Sequence, residues 1–179
     1  MLQITIPARE LWDEEHSCFV NIKEQHLTLE HSLVAISKWE SKWHVPFFSK
    51  EEKTNEMTID YIRMMTLTQN VNSNVYNYLT NENVAEIKRY LEDSRTATTF
   101  HNDRSAPNRE VITSELIYFW MVHWGIPFEC QKWHINRLLT LIRICGVKNQ
   151  PTRKMSRQEI MSQNSALNAA RRKKFNTRG

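Results

Sequence analysis

Apolar and polar positions alternate over residues 2–6, LQITI, which puts Leu2, Ile4 and Ile6 on one face and Gln3 and Thr5 on the other. A period of two predicts a half-buried strand, and Pro7 closes it. CFVNI (18–22) and HLTL (26–29) carry the same signature, separated by the polar runs DEEH and KEQ. The three together predict a small antiparallel sheet or hairpin. From Glu30 the period changes. In EHSLVAISKWESKW, Leu33, Ile36, Trp39 and Trp43 recur every three or four residues, the spacing of one helical face, and Pro46 stops the run.

SKEE (49–52) has the form of a capping box, with Ser49 as cap and Glu52 three residues on, and predicts a second helix through MTIDYIRMMTL. Its apolar positions are Met57, Tyr61, Met64 or Met65, and Leu67. VYNYL (75–79) and NVAEIKRYLED (83–93) predict two shorter helices, the latter packing through Val84, Ile87 and Leu91. Residues 94–109 are polar, contain Pro107 and lack a period, so they read as a loop. Asn108 then stands where a helix cap belongs, ahead of the two most apolar segments, EVITSELIYFWMVHWG and CQKWHINRLLTLIRICG. Gly125 and Gly146 occupy the places of helix-terminating glycines. These two helices are the expected centre of the core. KNQPTRK (148–154) reads as a linker, and SRQE (156–159) as a second capping box opening a helix to about Lys174.

The expected fold is mainly α (α+β). A helical domain over 1–147 has a sheet in about 2–29 and helices over about 30–146, and 148–179 hold a linker and a basic helix. Composition narrows the function. Only three glycines occur in 179 residues, so neither a Walker loop nor a dinucleotide loop can be written. Three cysteines, Cys18, Cys130 and Cys145, do not make a disulfide framework. The start, MLQITIPARELWDEE, lacks the basic residues and long apolar run of a secretory leader. The longest apolar stretch, VITSELIYFWMVHWGIPF, is interrupted by Glu115 and His123, so no membrane span is expected. The net charge of +4 is unevenly placed. From Lys148 onward nine cations face only Glu159, a balance of +8, which leaves −4 on residues 1–147.

Candidate chemistry is sparse. Cys130 and His134, four apart, with His123, Cys145 and Cys18 in reserve, give only one closely spaced pair where zinc asks for two. A buried thiol and a histidine beside Trp133 is the plainer reading. A thiol–histidine nucleophile from the same residues has no identifiable third group. The acidic runs at 13–15 and 51–52 read as solvated faces. Trp39 and Trp43, interleaved with Lys38 and Lys42, have the elements of a stacking platform for single-stranded nucleic acid, but the apolar stripe explains them more economically. The expectation is a protein that is not an enzyme and holds neither metal nor cofactor.

The terminal NAARRKKFNTRG (168–179) is the most distinctive stretch. It reads as a nucleic-acid arm, a protein-binding helix or a solubilising tail. The acidic body and the absence of base-reading side chains favour a protein partner, with Leu167 and Phe175 as anchors and Arg171, Arg172, Lys173 and Lys174 seeking acidic surface.

LTLEHSLVAISKWESKWHVPF, DYIRMMTLTQNV, ITSELIYFWMVHWGIPFECQKWHINRLLTLIRICGVKNQP and SALNAARRKKFNTRG together resemble the tail assembly chaperones of long-tailed bacteriophages. The resemblance covers most of the chain. It implies a mostly helical, non-catalytic protein of the host bacterial cytoplasm that coats the tape-measure protein and recruits tail-tube subunits, with self-association and a longer frameshifted form as further family traits. The best-known members carry acidic or polar tails; this one is basic. The other readings are a neck or tail adaptor retained in the virion and a nucleic-acid-binding protein using its basic arm.

Overall fold

A computed structural model describes residues 1–13, 18–100, 111–149 and 156–176. Among them the fold is mainly helical with a small antiparallel β part, as the periodicities imply. Two compact units are present, Met1–Cys145 and Gly146–Gly179, described in turn.

β1 (Leu2–Ile6) pairs antiparallel with β4 (Gln25–Leu29), and β2 (Arg9–Asp13) with β3 (Cys18–Ile22). Both pairs share one register, from Leu2 opposite Leu29 to Asp13 opposite Cys18. They are therefore two lengths of one hairpin, interrupted where Pro7 and Ala8 face Lys23 and Glu24. Proline has no N–H to give the ladder, which accounts for the break. β2 was not among the expected strands. RELWD sets Leu11 and Trp12 side by side and has no period of two, so its pairing with β3 makes it a strand. Ile4, Ile6, Leu27 and Leu29 are buried, while Thr5 and His26 hydrogen-bond on the other face at 2.9 Å.

α1 (Leu33–Trp43) is capped by Ser32, whose hydroxyl accepts from the Ala35 N–H, and ends at His44 in the left-handed region, two residues before Pro46. Leu33, Ile36 and Trp39 are completely buried, so the aromatic stripe is core, and the Trp39 indole donates to the Met57 carbonyl at 2.9 Å. α2 (Asn55–Met65) begins later than SKEE suggests. Thr54 caps it and Ser49 lies outside it. Its buried side is Asp60, Tyr61, Ile62 and Met65, with Met57 and Met64 half-covered and Leu67 exposed. The methionines thus serve packing and do not form an open adaptable surface.

VYNYL lies in a 3-10 turn, Ser73–Tyr78, and α3 (Asn81–Glu92) follows, capped by Thr80 and Asn83 in a reciprocal capping box. α3 packs through Asn83, Ile87 and Tyr90, leaving Val84 exposed. α4 (Ser114–His123) is capped by Thr113; Asn108 lies outside the described residues. Gly125 adopts φ +62°, the expected left-handed stop. A second 3-10 turn, Phe128–Lys132, precedes α5 (Ile135–Asn149), so Cys130 and His134 do not share one α-helix. Gly146 sits inside α5 and does not end it.

α1 is the axis of this unit, packing on α2, α4 and the second 3-10 turn. The expected α4–α5 centre is displaced because α4 buries only Ser114, Ile117 and Met121. In the second unit, α6 (Arg157–Phe175) is opened by Ser156 and Glu159 in the predicted capping box and closed by Asn176 in the left-handed region.

Truncating Ile36 to Ala in the α1 stripe is expected to cost about 2–5 kcal/mol in urea unfolding. Val84→Ala on the open side of α3 should stay within about 0.5 kcal/mol.

Candidate functional site

Three features bear on function: a buried polar cluster, an open apolar helix face and the basic helix. The cluster forms where β4 hands over to α1. Tyr90 Oη donates to Glu30 Oε1 at 2.7 Å, and His31 Nδ1 is hydrogen-bonded to Tyr61 Oη. The His31 and His134 rings meet edge-on with centroids 5.0 Å apart. His134 in turn engages the Tyr90 carbonyl through Nε2 at 3.0 Å and the Asn136 N–H through Nδ1 at 3.3 Å. All five residues, Glu30, His31, Tyr61, Tyr90 and His134, are buried. Burial, reinforced by the neighbouring His134, pulls His31 down to about 3. Burial also lowers His134, against the opposing pull of the Tyr90 carbonyl and Glu30. Burial raises both tyrosines, Tyr90 further through its bond to Glu30. The histidines and tyrosines are neutral, Glu30 Oε2 also meets the Met1 ammonium at 3.0 Å, and groups satisfied in this way make a hydrogen-bonded joint. Both His134 nitrogens are engaged, and among the described residues no group of three His, Cys, Asp or Glu is placed to hold a metal.

The second feature is α4. Its composition is the most apolar of the helices, yet Phe119 is 61 % and Val122 64 % exposed, with Phe128 of the following turn 54 % exposed. Phe119 and Val122 are three apart and lie on one face with Glu115. Tyr118 borders them, its ring 6.5 Å from that of Phe128. At the N-terminal end of α4 a cleft of about 460 Å³ is lined by Glu40, Val45, Pro46, Thr113 and Glu115, among others. Glu40 is buried there, with Oε1 accepting from the Phe47 N–H at 2.7 Å and Oε2 from the Ser114 N–H at 2.8 Å.

No known protein family, curated protein or solved structure matches this chain.

The third feature is α6, which carries every residue singled out in the tail. It spans nineteen residues and buries none of them. Leu167, Arg171, Lys174 and Phe175 fall within about a third of the helix circumference at 100° per residue, while Arg172 and Lys173 point elsewhere. Ile160, Asn164, Leu167, Arg171 and Lys174 share one face, on which Ile160 and Leu167 are the apolar positions. The Lys174 ammonium lies 5.7 Å from the Phe175 ring centre. Cations in the last turn also complement the negative end of the helix dipole.

Nothing in the local pattern marks the open α4 face. A helix apolar all round reads as buried all round. The buried cluster was equally hidden, since Glu30, His31, Tyr61, Tyr90 and His134 are scattered over more than a hundred positions.

The histidines make stability pH-dependent. Their folded pKa values lie below the ordinary value of about 6.5, so the unfolded chain takes up protons first. Stability is complete above about pH 6.5 and falls as the pH drops toward 3, by at most about 1.4 kcal/mol per pH unit for each histidine. Tyr61 on α2 and His134 ahead of α5 face His31, while Tyr90 on α3, Glu30, Asp93 and Arg95 act on His134. Urea midpoints measured between about pH 5 and pH 7 should rise with pH, and His31→Gln should flatten that slope. An unchanged slope would show that His31 does not titrate on unfolding.

Proposed function

We propose that this protein is a non-catalytic assembly factor, a tail assembly chaperone of a long-tailed phage. In this reading it binds the tape-measure protein and recruits tail-tube subunits in the host bacterial cytoplasm. One observation carries the protein-binding part of the proposal: α6 is capped at both ends and presents Leu167 and Phe175 to solvent, yet has no buried residue. A helix of this length gains little stability alone and more from a partner's surface. Leu167 and Phe175 supply the apolar anchors, and Arg171, Arg172, Lys173 and Lys174 supply charge for an acidic protein surface. The finer identity, a tail chaperone, rests on the likeness of the four segments quoted above. The −4 balance on residues 1–147 weighs against a phosphate-binding role, since an acidic body repels nucleic acid.

The test is a nuclease-treated pull-down from phage-infected cells with tagged full-length protein and the full-length variant Leu167→Asp/Phe175→Asp. The wild type is expected to recover tape-measure and tail-tube proteins, and the variant to lose at least one of them by about tenfold, as loss of an apolar anchor implies. Absence of the protein from purified virions separates a chaperone from an adaptor, which stays in the particle. A bait that holds only DNA, released by nuclease, removes the chaperone reading.

A further inference from the structure

We infer that His134 is a proton-sensitive latch for α5: a proton added to its ring releases the start of that helix from α3 and from the turn between β4 and α1, and α5 opens while the rest of the Met1–Cys145 unit stays folded. This holds whichever molecule α6 binds.

His134 stands immediately before α5, in the cap position, and its Nδ1 accepts the Asn136 N–H at 3.3 Å. A helix start leaves N–H groups without partners, and an acceptor side chain at the cap satisfies one of them. Only the neutral ring can do this. Because Nδ1 accepts, it carries no proton, so the neutral ring holds its proton on Nε2 and donates to the Tyr90 carbonyl at 3.0 Å. A second proton can go only to Nδ1, where it meets the Asn136 N–H. The acceptor then becomes a donor, and a full positive charge faces the positive end of the α5 dipole. An imidazolium cannot keep the place of the neutral ring. When the ring swings out, the cap and the bond to Tyr90 are lost together.

Those bonds sit where α5 is fastened. The Ile135 N–H donates to the His31 carbonyl at 2.7 Å, and His134 bridges to Ser32. Asn136 Nδ2 donates to the Leu91 and Asp93 carbonyls at 3.1 and 2.8 Å. Residues 134, 135 and 136 thus tie the helix start to the end of α3 and to the β4–α1 turn. Beyond Ile135, the buried residues of α5 are Leu138 and Ile142. α5 is also the last element the chain reaches in this unit, so it can undock without parting the hairpin or any earlier helix.

The groups around the ring are Glu30 and His31 of the β4–α1 turn, Tyr90 of α3, and Asp93 and Arg95 just beyond α3. Lys132, in the turn ahead of His134, is exposed, and Tyr61 of α2 bonds to His31. His31 is pulled down to about 3 and stays neutral as His134 titrates. Glu30 is already bound by Tyr90 Oη and the Met1 ammonium, and Asp93 pairs with Arg95 at 2.7 Å. The Tyr90 carbonyl, Glu30 and Asp93 favour the charged ring, burial and Arg95 oppose it, and burial prevails. The opened form therefore takes up the proton first and gains population as the pH falls below about 6.5.

Hydrogen exchange of the full-length protein tests this, read amide by amide at about pH 5 and pH 7 and corrected for the intrinsic effect of pH. Protection of the Leu138, Leu139 and Ile142 amides should be lower at the acid pH by about threefold or more, with a ceiling of about thirtyfold for one proton. At that pH these amides should exchange faster than those of Ile36 and Trp39 in α1. Urea added below the unfolding transition should speed exchange in α1 and leave α5 almost unchanged, since a local opening exposes little surface. His134→Asn keeps a capping oxygen that takes no proton, and should reduce the acid loss in α5 to less than about twofold. Equal protection and equal urea response in α5 and α1 would overturn the inference, because α5 would then open only with the whole unit. So would α5 protection that does not change with pH, or an acid loss that survives in His134→Asn. The urea comparison needs no variant, so it decides the matter even if His134→Asn fails to fold.

Discussion

The fold turns on three consecutive residues, Glu30, His31 and Ser32, and on the need to satisfy their polar groups in a buried place. Their backbone leaves β4 and enters α1 through the interior, where an unpaired N–H or C=O is costly. The Glu30 N–H donates to the Met65 carbonyl at 2.9 Å, tying in the end of α2. The His31 carbonyl accepts from the Ile135 N–H at 2.7 Å, tying in the start of α5, and Ser32 bridges to His134. The side chains add Tyr61 of α2 and Tyr90 of α3. Three helices, α2, α3 and α5, are thereby indexed to one turn of chain. The Ser32 hydroxyl, capping α1, starts a fourth from the same point.

From there α1 carries the order outward. Its completely buried stripe packs on α2 and α4, and near its far end Glu40 binds the N–H groups of Phe47 and Ser114. A single carboxylate so fixes the loop after α1 and the first turn of α4. α4 is held by its N-terminus and by Ile117 and Met121, which leaves Phe119 and Val122 pointing away. The open face is therefore a product of how α4 is anchored. Asp60 performs a related task on α2, taking Lys42, Arg63 and the Trp43 indole at once.

The functional reading follows from this division of labour. Glu30, His31, Glu40, Asp60, Tyr61, Tyr90 and His134 each hold one element of the first unit to another. The surfaces left for other molecules are apolar and charged helix faces, which recognise by packing and complementarity. α6 fits that pattern, capped at both ends and with no buried residue.

Much of this is legible along the chain. The period of two at LQITI and HLTL, the stripe of Leu33, Ile36 and Trp39, the αL stop at Gly125 and the capping box at Ser156 each depend on neighbours a few residues away, and each appears where the pattern puts it. The charge split and the helix that carries Leu167 to Phe175 are equally local. What failed depended on distant partners. RELWD is a strand because β3 lies beside it, Ser49 does not cap because the chain turns again before Thr54, and Val84 is open because Tyr90 takes the buried place on α3. The sequence by itself determined most of the helices, the pairing strands β1 and β4 and where the cations sit, because backbone propensity and capping act over one or two turns. Only the tertiary structure decided that His31, His134, Tyr61, Tyr90 and Glu30 meet, and that the apolar helix α4 keeps one face open. A local pattern marks a face fit for burial, but what covers it is set by whatever packs from elsewhere in the chain.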